Sequence, residues 1–360
     1  MHASITTWAT ALLALPATLT HAARTPPRVV APRADSKACN NSPDLCDRNY
    51  DEITHMGGHN SAFVRDETTD DSIAGNQYFN ATVALDSGLR LLQAQVHHEN
   101  STLRLCHSSC QLLDAGPLED WLGAIKIWMD NNKNDVVTVL LVNSDSQPVD
   151  SFGDAFEGSG LGEYGYEPSG DGTKWPTLSK MISDDKRLVS FVTNIDESTQ
   201  YPYILDEFSH VFETPFEVTS PSGFNCTVDR PSNLDSGSSA IESGRLSLMN
   251  HFLYQDLGGN LGIQIPDVGE IENTNSPDTS STGQLGRHAD QCKKEWSRQP
   301  TFILVDFFDE GPALDTADRL NGISSTTGRQ EPQQTGGAAA NGGAAMGALA
   351  ATVMAASLLF

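Results

Sequence analysis

The side chains of this sequence that are best suited to acid–base chemistry belong to two histidines. His59 follows an apolar run and two glycines in "THMGGHNSAFV", and His107 ends the apolar run "TLRLCH". Imidazole titrates near neutral pH, so one histidine can accept a proton while a second donates one. Cleavage of a phosphodiester by a neighbouring hydroxyl uses both transfers, because the hydroxyl loses a proton and the departing alkoxide gains one. For His107, a packed side chain beside a disulfide at Cys106 is the alternative interpretation.

Polar side chains also end most of the other apolar runs of strand length. Apart from the histidines above, the candidates for substrate contacts are Asn60, Gln93, Gln95, Asn143, His251, Asp306 and Asp309. If the runs are parallel strands of a barrel, their carboxyl ends meet at one rim, where barrel enzymes keep their working residues. We therefore expect one substrate site lined by these side chains. Asp306 or Asp309 can orient an active-site histidine through its Nδ1–H, or instead cap the following helix.

The apolar runs that must position these residues alternate with helical patterns. The runs are "ITHMGGH", "LRLLQAQVH", "TLRLCH", "VVTVLLVN", "RLVSFVTN", "HVFETPFEV", "LSLMNHFL" and "TFILVDFFD". Helical patterning marks "PLEDWLGAIKIWMDNN", "WPTLSKMISDD", "YPYILDEF", "GQLGRHADQCKKEW" and "GPALDTADRLNG". Eight nearly continuous apolar runs between helices predict an α/β fold, a TIM (β/α)8 barrel. The stretch between Val96 and Thr102 has no room for a helix, so we expect an irregular barrel.

Two stretches of the sequence resemble a known family. "THMGGHNSAFV" and "LDSGLRLLQAQVHHENSTLRLCHSSC" are similar to the X-region of phosphatidylinositol-specific phospholipase C, and most of all to the secreted phospholipase C-like (PLC-like) phosphodiesterases of fungi. The resemblance extends roughly from Cys39 to Ile323 and implies an irregular TIM barrel. It also implies His59 as the general base towards the inositol 2-hydroxyl and His107 as the general acid. Asn60 would contact the phosphate or support a cation.

The sequence departs from this family at the positions that would hold a cation. Gln93 and Gln95 stand where calcium-dependent members carry two carboxylates and bacterial members an aspartate and a phosphate-binding arginine. Asn143 stands where the family has an acidic calcium ligand or a lysine. Neutral amides form weak Ca²⁺ sites, because affinity follows the charge of the ligands, so we expect no metal and no other cofactor. Arg230 is a candidate replacement for the missing cation, or a solvated loop residue.

These observations lead to three functional hypotheses. The first is a phosphoric diester hydrolase or lyase that acts on a phosphoinositide-like or glycerophospho- substrate without calcium. The second is a catalytically inactive barrel that binds a glycan or lipid headgroup at the cell surface. The third, a Mg²⁺-dependent glycerophosphodiester phosphodiesterase, needs a carboxylate cluster where Gln93 and Gln95 stand.

The charge of the chain limits its partners. Its 47 Asp and Glu residues against 22 Lys and Arg give a formal net charge of -25. Such a surface repels nucleic-acid phosphates and anionic lipid headgroups, so we expect neither to be steered to the protein by charge, and no nucleic-acid partner. The expectation of a small phosphodiester or lipid headgroup as substrate rests on the histidines and the family resemblance instead. We expect a monomer.

Both ends of the chain have the composition of targeting segments. Residues 1–22 are predicted to be a signal peptide, residues 36–325 a PLC-like barrel domain, and residues 326–343 a Gly/Ala/Gln-rich linker. The apolar tail of residues 344–360 is typical of a glycosylphosphatidylinositol (GPI) anchor signal, with a C-terminal transmembrane helix as the alternative. We expect a secreted protein of the cell surface or cell wall, held by the anchor rather than by a spanning helix.

Cysteines and sequons agree with export. The six cysteines are predicted to pair as Cys39–Cys46, Cys106–Cys110 and Cys226–Cys292, one of many possible connectivities. Asn-X-Ser/Thr sequons predict glycosylation at Asn40, Asn80, Asn100 and Asn225.

Overall fold

The computed structural model of the protein describes residues 38–170, 172–257 and 263–333. The predicted signal peptide, the apolar tail and the linker beyond residue 333 lie outside the described residues. In the part that the structure describes, no helix is long and apolar enough to cross a bilayer.

The described residues alternate between strands and helices. The strands are β1 (His55–Gly58), β2 (Leu91–Glu99), β3 (Thr102–Cys106), β4 (Asp114–Pro117), β5 (Val137–Asn143), β6 (Leu188–Val192), β7 (Ile204–Asp206), β8 (Val211–Glu213), β9 (Leu246–Asn250), β10 (Tyr254–Leu257), β11 (Ile263–Pro266) and β12 (Phe302–Val305). The helices are α1 (Ala81–Ser87), α2 (Leu118–Asn131), α3 (Val149–Gly158), α4 (Leu178–Ser183), α5 (Glu207–His210), α6 (Gly237–Glu242), α7 (Ile271–Thr274), α8 (Leu285–Trp296) and α9 (Ala313–Asn321).

Eight parallel strands form one curled sheet in the order β7-β6-β5-β2-β1-β12-β9-β8. The sheet is open between its edge strands β7 and β8, which are joined directly by the short helix α5. Strands β6 and β9 are buried at every residue, because the barrel interior covers one face and helices cover the other. The predicted irregular TIM barrel of the α/β class is therefore confirmed.

Helix α2 shows how the sequence specifies the outer layer. Pro117 precedes the helix, and Glu119 and Asp120 lie in its first turn, where negative charge interacts favourably with the helix dipole. Its buried side chains are Leu118, Leu122, Ile125, Trp128 and Met129. They recur at spacings of three and four residues, which gathers them on one face.

The run "TLRLCH" is not a barrel strand, so its place in the predicted strand count was wrong. It forms β3, which pairs antiparallel with β2 outside the barrel, with Val96 opposite Leu105. The chain reverses at Asn100 and Ser101, whose φ angles of 52° and 63° are those of a tight hairpin turn. A connection this short permits only antiparallel pairing, and the hairpin returns the chain to the rim of the barrel.

The missing barrel strand is β7, which lies inside the segment "YPYILDEF" that was predicted to be helical. Ile204 pairs with Ser190 of β6, whose Oγ also donates a hydrogen bond to the Tyr203 carbonyl at 2.6 Å. β7 has only three residues and α5 follows it directly, so the strand is too short to show the alternation of apolar and polar residues that predicts a strand. Pairing with β6 therefore decides its conformation.

The two glycines before His59 permit the close packing of β1. A Cβ atom at Gly57 would lie 2.7 Å from the Leu91 Cβ, and one at Gly58 would lie 2.9 Å from the Ser61 Oγ. Side chains at these positions would push β1 away from β2 and displace the loop that carries His59.

The folded unit continues past the predicted boundary at residue 325. The Thr327 N–H donates to the Asn41 carbonyl at 2.7 Å, and the Gln330 N–H donates to the Asp86 carbonyl at 2.9 Å. Arg329 makes a two-point ion pair with Asp318 on α9. The first residues of the predicted linker therefore belong to the barrel.

All three predicted disulfides are confirmed. Cys39–Cys46, Cys106–Cys110 and Cys226–Cys292 are bonded, and no cysteine is free.

The structure contradicts the predicted glycosylation of Asn40. Asn40 is only 5% exposed, its Oδ1 accepts a hydrogen bond from the Val136 N–H, and its Nδ2 is enclosed. A glycan on that nitrogen does not fit this fold. Asn80 and Asn100 are exposed and Asn225 is half-buried, so glycosylation there stays a prediction.

Candidate active site

The rim of the barrel places His59 between β12 and β2. The His59 N–H donates to the Val305 carbonyl at the end of β12 at 2.8 Å. Asn60 then adopts a left-handed conformation with φ of 50°, and its N–H donates to Gln93 Oε1 at 2.6 Å. Asparagine tolerates this conformation better than most residues, which turns the chain away from the strand and leaves the imidazole at the rim.

Asp306 fixes the orientation of the His59 ring. His59 Nδ1 lies 2.8 Å from Asp306 Oδ1, and both side chains are buried. Asn76 Nδ2 donates to the same carboxylate oxygen at 3.0 Å. With the proton on Nδ1 donated to Asp306, Nε2 carries the lone pair that a general base needs.

The other contacts of the His59 ring fix the orientation of its plane and partly shield it from solvent. Phe252 stacks on it with a centroid distance of 3.7 Å and an interplanar angle of 2°, and Tyr254 approaches edge-on at 6.3 Å. Asn60 Nδ2 lies 3.1 Å from Nε2 and donates to it. The lone pair therefore has a weak partner that a substrate hydroxyl can displace.

His107 reaches the same rim on the returning hairpin. It lies inside the loop closed by Cys106–Cys110, and its N–H donates to the carbonyl of Leu113, just beyond that loop, at 3.0 Å. Phe63 meets its ring edge to face at 5.2 Å. Burial, with a smaller contribution from the charge of His59, lowers the pKa of His107 to about 4. The two imidazoles are thus close enough to interact electrostatically.

Several polar atoms at this rim are buried without a hydrogen-bond partner among the described residues. They are His107 Nε2, Asn60 Oδ1, Asn76 Oδ1 and Asp306 Oδ2. Buried polar atoms are nearly always hydrogen-bonded in folded proteins, so a group of unpartnered ones beside two histidines indicates a ligand-binding site.

The glutamines and Asn143 serve the scaffold. Gln93 Oε1 accepts from the Asn60 N–H, and Gln95 Oε1 accepts from the Ser108 N–H at 3.0 Å, next to His107. Asn143 Oδ1 accepts from the Gln147 N–H at 2.8 Å, and its Nδ2 donates to the Gln147 carbonyl. Their amide oxygens are uncharged and already accept hydrogen bonds from the scaffold.

One group of three potential metal ligands occurs in the described part of the chain. It comprises Cys226, His288 and Cys292. The two sulfurs are bonded to each other, so this group does not offer the thiolates that zinc needs.

Contrary to the sequence prediction, the structure does not place His251 where it could contact a substrate. It is completely buried, with Nδ1 2.9 Å from His288 Nδ1 and Nε2 2.9 Å from the Thr274 carbonyl oxygen. Phe224 stacks on its ring at 4.1 Å. Both ring nitrogens are engaged inside the fold, so His251 packs behind the rim rather than facing a ligand.

Arg230 and Asp309 occupy partly enclosed positions. Arg230 Nε donates to Glu213 Oε2 at 3.0 Å, and its guanidinium lies 4.2 Å from the centroid of the Phe216 ring. Arg230 is therefore not a fully solvated loop residue. Burial raises the pKa of Asp309 to about 6, and of the two aspartates it is Asp306 that bonds to His59.

The sequence reasoning missed Asn76, Gln77 and Phe252. Gln77 Nε2 donates to the His59 carbonyl at 2.7 Å and to the Val305 carbonyl at 3.1 Å, which ties β1 to β12. Asn76 and Gln77 lie in a loop without periodic pattern, so no sequence signal marks them. Phe252 is the residue before the last in the run "LSLMNHFL", just past the end of β9, and this position was the one available signal.

Fold and site together define an irregular parallel α/β barrel with a histidine pair at one rim, His59 after β1 and His107 after the β2–β3 hairpin. A family model described as PI-PLC X 1 matches residues 45–321 of the chain. The chain belongs to the PI-PLC X domain family.

Curated relatives agree with this assignment. "PI-PLC X domain-containing protein 1" of Arthroderma benhamiae is 36% identical over 299 residues, covering 81% of this chain and 92% of that protein. A second protein of the same organism, named "Uncharacterized secreted protein", is 35% identical over 298 residues, covering 81% of this chain and 65% of that protein.

A solved structure shares the fold. Phosphatidylinositol-specific phospholipase C from Listeria monocytogenes aligns with a TM-score of 0.50 over 77% of this chain and 94% of its own. The two sequences are 13% identical, so the likeness concerns the fold alone.

Proposed function

We propose that the protein cleaves a phosphodiester by acid–base catalysis with His59 and His107. The observation that carries the proposal is the arrangement of the two imidazoles. His59 is held by Asp306 with its Nε2 lone pair at the rim, and His107 Nε2 is buried beside it without a partner. The membership of the chain in the PI-PLC X domain family supports the same reaction class.

The reaction proceeds by attack of a neighbouring hydroxyl on phosphorus. His59 Nε2 takes the hydroxyl proton, the new P–O bond forms, and the P–O bond to the leaving group breaks. His107 gives a proton to the departing alkoxide. Asp306 stabilises the imidazolium that forms on His59.

His107 must be charged to act as the acid, although burial holds its pKa at about 4 in the free protein. A phosphodiester anion bound beside it favours the imidazolium, because opposite charge nearby raises the pKa of a histidine. Substrate binding and proton uptake by His107 are therefore coupled.

The proposed substrate is phosphoinositide-like or glycerophospho- in character, and no calcium takes part. Asn60 contributes its amide to the phosphate. Arg230 contacts the headgroup from the edge of the site, where its side chain is 33% exposed. The amide oxygens of Gln93, Gln95 and Asn143 remain bound to the scaffold.

Turnover on a panel of phosphodiesters, with and without a chelator, tests this function. We expect hydrolysis of an inositol- or glycerol-containing diester that is insensitive to the chelator. Activity restored only by added Ca²⁺ would contradict the metal-free mechanism.

A catalytically inactive barrel that binds a headgroup is the second candidate function. It is favoured by the pairing of Arg230 with Glu213, which neutralises a cation that phosphate stabilisation needs. Binding of a headgroup without turnover across the panel would establish this alternative.

We also propose that the chain is exported and carries a GPI anchor, as the composition of its ends suggests. One relative bears the name of a secreted protein. Mass analysis of the C-terminal peptide from native cell-surface protein is expected to show a chain that lacks Met346 to Phe360, and recovery of Phe360 would refute anchoring.

A further inference from the structure

A groove runs along the face of the barrel opposite to the two histidines. Its first cavity encloses about 470 Å³ between the starts of β9 and β12, and is lined by Lys174, Arg245 and Arg298 among others. Its second cavity encloses about 530 Å³ beside α4 and the start of β6, and is lined by Lys180, Lys186 and again Lys174. Lys174 lines both cavities, and we call the two cavities together the basal groove.

The charge of the basal groove differs from that of the whole chain. Acidic residues outnumber Lys and Arg by 47 to 22 in the sequence. The groove is lined by five cations and four carboxylates, the latter being Asp51, Glu167, Asp184 and Glu242. The groove thus carries one more cation than carboxylates, whereas acidic residues are in large excess over the whole chain, and this local difference in charge favours an anionic ligand.

Not all of these cations are paired. Arg298 donates to Asp51, and Lys180 pairs with Asp184. Lys174, Lys186 and Arg245 make no ion pair with the described residues, and Arg245 Nε is buried without a hydrogen-bond partner. These three side chains are available to an anion.

A second observation points to a sugar-like ligand. Trp175, which is 6% exposed, lines the second cavity, and its indole Nε1–H is buried without a partner. Tyr166 lies beside it with a ring-centroid distance of 5.4 Å. Two aromatic side chains at the wall of the cavity, one of them with an unpartnered N–H donor, suit a ring bearing hydroxyl groups.

We propose that the basal groove binds an anionic oligosaccharide, one that carries phosphate or carboxylate groups. The cavity volumes lie within the range of about 300–1,000 Å³ that ligands of a few rings fill. A membrane surface fits less well, because the exposed large apolar residues of the described chain, Ile73, Leu112, Ile127 and Val268, do not line the groove. Binding here is independent of the reaction at the opposite rim.

The test is calorimetric titration of the full chain with tetragalacturonate and with phosphorylated pentamannose, using neutral maltopentaose as the comparison. The variant Lys174→Ala/Arg245→Ala removes two cations from the groove. The control Lys293→Ala/Lys294→Ala removes the same charge from exposed positions on α8. Equal thermal midpoints of the two variants verify folding.

We expect at least one anionic probe to bind more tightly than maltopentaose, with affinity that falls as salt is raised. The groove variant should bind it about tenfold more weakly, since charge-assisted contacts to an anion are the strong ones, and the control variant should bind as the wild type does. The proposal is overturned if neither anionic probe exceeds maltopentaose or if the groove variant and the control bind equally. It is also overturned if vesicles of anionic phospholipid bind through the same residues more tightly than either oligosaccharide.

Discussion

At the scale of the residue, the site depends on how each imidazole is held. His59 is bonded at Nδ1 to Asp306 and stacked on Phe252, which leaves one rotamer and one tautomer. His107 is enclosed by Phe63 and the disulfide loop, and burial lowers its pKa to about 4. One ring is thus oriented by a carboxylate that can stabilise its imidazolium. The other is kept neutral by apolar packing until an anion binds beside it.

Replacing either histidine by alanine is predicted to abolish turnover while leaving the fold intact. Each proton transfer accounts for about 10²–10⁴ in rate. The losses in His59→Ala and His107→Ala should not add in the double variant, because both groups act in one transition state. Steady-state kinetics measure this, with His98→Ala, an exposed histidine at the hairpin tip, as the control. Full activity in either single variant would exclude the mechanism.

The sequence left open whether Asp306 or Asp309 orients the active-site histidine, and the variant Asp306→Asn tests this. The amide keeps the shape of the side chain but cannot stabilise an imidazolium by charge, so kcat should fall by about 10²-fold or more. Asp309→Asn, the matched control, should change kcat little, since the bond to His59 Nδ1 is made by Asp306. A larger loss in Asp309→Asn than in Asp306→Asn would contradict the assignment.

At the scale of the element, the β2–β3 hairpin delivers His107 to the rim. Strand β2 continues past the barrel, and the Cys106–Cys110 bridge closes the loop after β3. Gln95 of β2 supports that loop through the Ser108 N–H. The hairpin therefore extends a regular barrel strand and positions His107 at the rim.

The Cys106→Ser/Cys110→Ser variant is predicted to lose turnover more than stability. A bridge across so short a loop contributes about 2 kcal/mol, whereas displacement of an acid by about 1 Å costs roughly 10²-fold in rate. Cys39→Ser/Cys46→Ser opens a loop of similar size, spanning seven residues, and should cost similar stability without loss of kcat. Kinetics and denaturant unfolding of both variants check this. Equal activity in the two variants would show that the bridge has no positioning role.

At the scale of the whole molecule, buried neutral histidines link stability to pH. Burial lowers the pKa of His55, His107 and His288 to about 4 from the ordinary histidine value of about 6.5. Between these values the unfolded chain binds protons that the folded chain does not, so the free energy of unfolding falls as pH falls. The raised pKa of Asp309, about 6, acts in the opposite direction, as does that of Glu207.

We therefore predict that the thermal midpoint falls between about pH 6.5 and pH 4, because each of these histidines lowers the free energy of unfolding by on the order of 1–3 kcal/mol over that range. His55→Gln should make the midpoint less sensitive to pH in this window, because it removes one such group. His98→Gln, at an exposed position, should leave the sensitivity unchanged. A midpoint that is constant or rises over this range would contradict the prediction.

The amino-acid sequence alone determined the class of fold and the identity of the central residues. Apolar runs such as "VVTVLLVN" carry their strand character locally, and helix α2 carries its own caps and apolar face. The pairing of nearby cysteines follows from short separations, as with Cys106 and Cys110. His59 and His107 stood out because imidazole is the side chain whose charge changes near neutral pH.

Only the tertiary structure decided which residues meet. Asp306 rather than Asp309 holds His59 across 247 residues of sequence, and Ile204–Asp206 is a strand because β6 pairs with it. His107 arrives on an antiparallel hairpin, His251 faces His288 instead of the rim, and Arg230 joins Glu213. Local patterns record only the propensity and burial of each segment, whereas these contacts depend on where distant segments pack, which no short stretch of sequence specifies.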